Sequence, residues 1–170
     1  PCTGMRPGCG FTEGLRGAPE ILALVAEAGL RYVSSVLWGV DYSLPAPIAE
    51  PFSYAEDGFP GIRELPAHGW HENLLKGNNP GLAERGVRAI LFPMPFPEAV
   101  PPGLVKTPEE EFRYNNGFFL DLGAARHASY VSLIWHPWSL ARFDPEMRML
   151  ELTFRRVREL GFEPATFAGI

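Results

Sequence analysis

The chain has 170 residues, 46% of them hydrophobic, enough for one domain over residues 1–170 with a buried core and too few to suggest two. Its net charge of -5, with fifteen Lys and Arg scattered along the chain, offers no basic surface for a phosphate backbone, so no nucleic-acid partner is expected. No apolar run approaches the ~20 residues that cross a bilayer, so no membrane partner is expected and the cytoplasm is the expected location. Because the chain opens on Pro1, export before processing stays open.

In chain order, Cys2 and Cys9 come first, and two cysteines are no disulfide framework. They are either one local bridge or two free thiols in a reducing compartment. Ala18 to Ala28 reads as a helix with Pro19 in its first turn and a buried stripe at Ile21, Leu22, Val25 and Ala28. Gly29 supplies its C-cap, and the apolar run Leu30 to Leu37 follows as a strand. The same unit recurs as Glu84-Arg85-Gly86 into Val87 to Phe92, as Arg126-His127-Ala128 into Tyr130 to Trp135, and as Glu159-Leu160-Gly161 into Phe162 to Phe167. Thr107-Pro108-Glu109-Glu110 is a capping box opening a helix to about Arg126, with Phe112, Phe119 and Leu122 facing inward. Asp144-Pro145 caps a last helix with Met147, Leu150, Phe154 and Val157 at helical spacing, closing at Gly161 with Arg155, Arg156 and Arg158 near its negative pole. Helices alternating with apolar strands predict α/β layering.

Two long connections rich in Pro, Gly and aromatics follow strands, from Trp38 to Asn79 and from Pro93 to Lys106. In parallel α/β sheets such loops build the functional face, so Arg6, Trp38, Asp41, the His68 to Asn73 segment and His136 are the candidates. His136 is delivered to the sheet's C-terminal edge by Tyr130 to Trp135 and lies between Trp135 and Trp138, placed for proton transfer near neutral pH.

Gly4-Met5-Arg6-Pro7-Gly8-Cys9-Gly10 resembles the Arg-Pro motif of polysaccharide deacetylases, the carbohydrate esterase family 4 or NodB-homology type, and Leu133-Ile134-Trp135-His136 resembles the family's late Leu-x-x-His motif. Gly29 to Ser35, Glu64-Leu65-Pro66 and Gly69-Trp70-His71 are similar to the middle of such domains. The resemblance implies a partial (β/α) barrel, half-barrel-like, of about four strands with helices outside. It implies a hydrolase acting on an amide or ester bond of an N-acetyl sugar or similar small-molecule or glycan substrate. It assigns His136 the catalytic acid, Arg6 the holding of a catalytic base, and Leu133 the acetyl pocket. Trp38 falls in a pocket-wall motif where Val36 stands at an expected acid, a role that Asp41 would then take.

The family's Thr-Phe-Asp-Asp and His-Ser-x-x-His segments, which supply its base and its divalent metal ligands, have no counterpart among these residues. No cofactor is therefore expected, although the family uses a metal such as zinc. Two alternatives follow: a rebuilt metal site of His68, His71 and His136 with Glu72 adjacent, and a thiol mechanism with Cys9 as nucleophile and His136 as base. A third reading is a non-catalytic glycan-binding remnant in which Trp38, Trp70, Trp135 and Trp138 stack on sugars. Open sheet edges predict a homo-oligomer or a complementary N-terminal half.

Overall fold

The computed structural model describes residues 2–8, 10–77 and 96–170. Cys9 and the strand predicted for Val87 to Phe92 lie outside them. The α/β class holds, and the sheet is mixed. Strands β1 (Gly4–Met5), β2 (Tyr32–Val33), β3 (Phe52–Tyr54) and β4 (Phe59–Glu64) lie in the order β1-β2-β4-β3. β1, β2 and β4 run parallel, with Met5 opposite Val33 and Val33 opposite Glu64. β3 pairs antiparallel with β4.

That hairpin falls inside the stretch expected to be a long loop. Its turn is closed by Asp57 N–H to Tyr54 O and Gly58 N–H to Ala55 O, and its signal is the alternation that buries Tyr54, Ile62 and Glu64. The sheet packs on helix α1 (Pro19–Glu27) through Leu22, Val25, Val33, Tyr54 and Ile62. Ile21 and Ala28, expected in the buried stripe, are exposed. With only nine residues against one sheet, the helix buries a two-residue seam rather than a full stripe.

Beyond β4 the chain stays extended and changes partners. Leu65 and Ala67 N–H donate to Val33 O and Val36 O on one side, while His68 N–H donates to Ser132 O on the other. Gly69, at φ +79, then turns the chain to exchange two hydrogen bonds with Ala46; a Cβ there would lie 2.7 Å from Asn115 Oδ1. A parallel bridge, His71 to Ile134, resumes the pairing. The predicted strand Tyr130 to Trp135 is thus reduced to interrupted contacts. One cause is visible: Ser132 N–H donates to the His68 ring nitrogen Nδ1 (3.0 Å) instead of to a carbonyl.

After the bridge come the short helices α2 (Glu72–Leu75) and α3 (Pro108–Phe112), a π-helical turn (Arg113–Gly117), and helices α4 (Phe118–Ala125), α5 (Pro137–Phe143) and α6 (Arg148–Glu159). Thr107 Oγ1 accepts from Glu110 N–H, so the expected cap is present. The π turn interrupts the expected continuous helix and rotates its inward face: Phe119 is buried, but so are Glu111, Asn115 and Asn116, while Phe112 and Leu122 are half-buried. In α6 the buried residues are Met149 and Thr153, with Phe154 and Met147 exposed. Asp144 Oδ2 accepts from Met149 N–H, which fixes the helix rotation and leaves Leu150 and Val157 of the predicted stripe only half-buried. Phe162 to Phe167, predicted as a strand, forms none: residues 163–166 are exposed, and Pro164 lacks the N–H that a ladder needs.

Among the described residues no helix is long and apolar enough to cross a membrane.

Candidate functional site

The parallel register His71 to Ile134 brings two chain segments out of the sheet side by side, each turning at once into a helix. Glu72 is the first residue of α2, and His136 is the N-cap of α5. Their side chains meet. His136 Nδ1–H donates to Glu72 Oε2 at 2.7 Å, and the His136 backbone N–H donates to Glu72 Oε1 at 3.2 Å. Glu72 is fully buried, whereas the His136 side chain is 37% exposed. A carboxylate that grips both the ring and the backbone of one histidine fixes the imidazole as the Nδ1–H tautomer and leaves Nε2 free to exchange a proton.

Behind Glu72 lies a buried cluster of ionisable side chains. Lys76 Nζ is 3.7 Å from Glu72 Oε1 and 3.0 Å from Glu111 Oε1, and the Lys76 side chain is 1% exposed. Lys76 also donates to Ser139 Oγ at 3.3 Å and sits 5.0 Å from the Phe143 ring. Burial pushes the Glu111 carboxyl up to about 7 despite Lys76.

The loops after β1 and β2 enclose a cleft of about 270 Å³ lined by Thr12, Glu13, Val36, Trp38, Asp41 and Pro47. Asp41 is exposed at a left-handed position (φ 53) on its rim. From the cleft wall, the Trp38 ring stands 4.8 Å from the ring of His71, the residue before Glu72. Burial lowers the His71 pKa, and its Nε2–H donates to Leu37 O at 3.1 Å. Trp138, 53% exposed, has its ring 6.0 Å from that of His136, open to a ligand.

Other expected residues sit elsewhere. Trp70 is fully buried and donates its Nε1–H to Ala99 O at 2.9 Å, so its ring is core and not a sugar platform. Leu133 and Trp135 line a separate apolar groove against α6, formed with Phe154, Val157 and Phe162. Arg6 donates to Ser34 Oγ (2.9 Å) and Ser132 Oγ (3.3 Å) and lies over Phe167, tying β1 to its neighbours. Cys2 is an exposed free thiol.

The rebuilt metal site does not form. His68 is fully buried, its Nδ1 accepts from Ser132 N–H and its Nε2–H donates to Ala49 O, which leaves no lone pair for a metal. Among the described residues no three His, Cys, Asp or Glu side chains converge as a metal site. The residues described do not fit the zinc that the resemblance implies.

His68 and Glu111 together shape stability against pH. Burial lowers His68 to about 4, so it contributes stability that is full above its ordinary value of 6.5 and is lost as pH falls toward about 4. Glu111 does the reverse: its contribution is full below 4.5 and is lost as pH rises to about 7. The two slopes oppose each other over nearly the same range. Glu111→Gln should therefore unmask His68, and urea unfolding of that variant should show stability falling by about 3 kcal/mol between about pH 6.5 and 4, where wild type stays flatter.

Compared with protein-family models, curated proteins and solved structures, the chain matches none.

Proposed function

We propose that the protein is a hydrolase that cleaves an amide or ester bond, with an N-acetyl sugar or similar small glycan as substrate and His136 as the proton-transfer residue. The observation that carries this reading is the buried Glu72 carboxylate locked on Nδ1 of a half-exposed histidine. In the reaction, His136 Nε2 takes a proton from the attacking water. It returns that proton to the leaving nitrogen or oxygen as the carbonyl carbon loses it, so water adds across the broken bond and the histidine is regenerated. Glu72 stabilises the imidazolium formed between the two transfers. Trp38 and Trp138 offer ring faces to a sugar, and Asp41 with Glu13 offers acceptors for its hydroxyls.

The sequence resemblance to polysaccharide deacetylases agrees with this reading and with a partial barrel of that type. The test is acetate release by the purified chain from chitin oligosaccharides and from an activated acetate ester. Release above the buffer blank supports the reading. Retained glycan binding without release would favour a binding module that uses Trp38 and Trp138.

The same reading carries the expectation of a homo-oligomer, since β1 and β3 are sheet edges and the groove at Leu133 and Trp135 is apolar. Light scattering should give at least a dimer, with a melting temperature that rises with protein concentration; a stable monomer of 18.8 kDa would contradict it.

A further inference from the structure

Three buried ionisable side chains stand behind His136: Glu72, the first residue of α2, Lys76 four residues on at that helix's C-cap, and Glu111 on α3. One ammonium serves two carboxylates, with Nζ to Oε distances of 3.7 and 3.0 Å, and all three side chains are 0–1% exposed. In such a place charges are weakly screened, so the ammonium's hold on one carboxylate weakens its field on the other. Glu72 is the carboxylate that also holds His136.

We propose that Lys76 is a positioning residue for His136, dividing its charge between Glu72 and Glu111, so that Glu111 sets how strongly Glu72 retains a proton on the imidazole. This rests on the proposed role of His136 but concerns the tuning of that residue rather than the bond cleaved. Among the described residues the ionisable groups around the relay are few. His71 faces His136 from the preceding extended segment, Glu72 and Lys76 from α2; Asp144, at the end of α5, acts on Glu111. Asp144 is itself engaged in capping α6 through Met149 N–H.

The consequence has opposite signs at the two ends. Removing Lys76 leaves the carboxylates uncompensated, so His136 keeps its proton to higher pH. Removing the Glu111 charge lets Lys76 neutralise Glu72 more fully, so His136 gives up its proton at lower pH. A purely structural network would lower stability in both variants without moving His136 in opposite directions.

The test uses a readout independent of turnover: the rate of carbethoxylation of His136 by diethyl pyrocarbonate as a function of pH, located by peptide mass spectrometry. Only the unprotonated ring nitrogen reacts. Relative to wild type, Lys76→Met should move the midpoint up by about one pH unit, and Glu111→Gln should move it down by less, because burial already holds Glu111 largely protonated below about pH 7; Lys76→Arg should stay near wild type. Thermal melts establish that each variant is folded at the labelling temperature, and Glu111→Gln, nearly isosteric, keeps the test available if Lys76→Met does not fold. Unchanged midpoints in folded variants, or shifts of the same sign in both, would overturn the proposal. Shifted midpoints in a protein that releases no acetate would leave the relay standing and remove only the hydrolase reading.

Discussion

His136→Ala should lower acetate release by ~10²- to 10⁴-fold, the usual contribution of a general acid–base group. The loss should fall on kcat, because in the proposed reaction the ring would serve proton transfer while Trp38 and Trp138 would supply most of the sugar contact. The fold should survive, since the side chain is 37% exposed and its backbone N–H still reaches Glu72. His127 is the internal control: it is exposed in a left-handed position just past α4, so His127→Ala should keep the wild-type rate. Equal rates in wild type and His136→Ala, with unchanged melting, would refute the assignment. If Cys9→Ser were then the variant that lost activity, a thiol mechanism would take its place.

Glu64→Leu should destabilise the domain by about 3 kcal/mol or more, a large part of the ~5–15 kcal/mol typical of a domain. The Glu64 carboxylate is fully buried and accepts from Ser35 N–H (2.6 Å), Val36 N–H (2.8 Å), Ser35 Oγ (2.7 Å) and Tyr54 OH (2.5 Å). It thereby ties the end of β4 to the residues after β2 and to β3, and Tyr54 OH in turn accepts from Leu15 N–H. Leucine fills the volume but strands these donors in the core. Glu64→Gln keeps an acceptor for the backbone and should cost markedly less. Urea midpoints of the two variants measure this, and a leucine variant as stable as wild type would show that the clamp contributes nothing.

Local rules were legible in the sequence where one residue's chemistry decides the outcome. Thr107 caps its helix, Pro19 opens α1, and Gly29 and Gly161 close α1 and α6 with positive φ, as their types predict. Helix faces were less legible, because tertiary hydrogen bonds set rotation: the Asp144 cap and the π turn at Arg113–Gly117 moved the buried faces away from the most apolar stripe. The strand at Phe162 to Phe167 failed because apolar residues make a strand only where a neighbour supplies a ladder. For the site, the position of His136 at the end of an extended segment could be read from the pattern. Its partner could not. Glu72 stood out only as a neighbour of His71, and its pairing depends on a register across 64 residues that no local spacing encodes. A hint was present in Glu72 and Lys76, four apart at the start of a helix, a spacing that puts both on one face.

The most direct test of the central claim is the rate of acetate release by Glu72→Gln, which removes the charge that holds His136 while keeping the side chain's shape. Loss of the carboxylate frees the imidazole to take the wrong tautomer and withdraws support from the imidazolium, so kcat should fall by ~10²-fold or more with KM little changed. A folded Glu72→Gln protein that releases acetate at the wild-type rate would contradict the account.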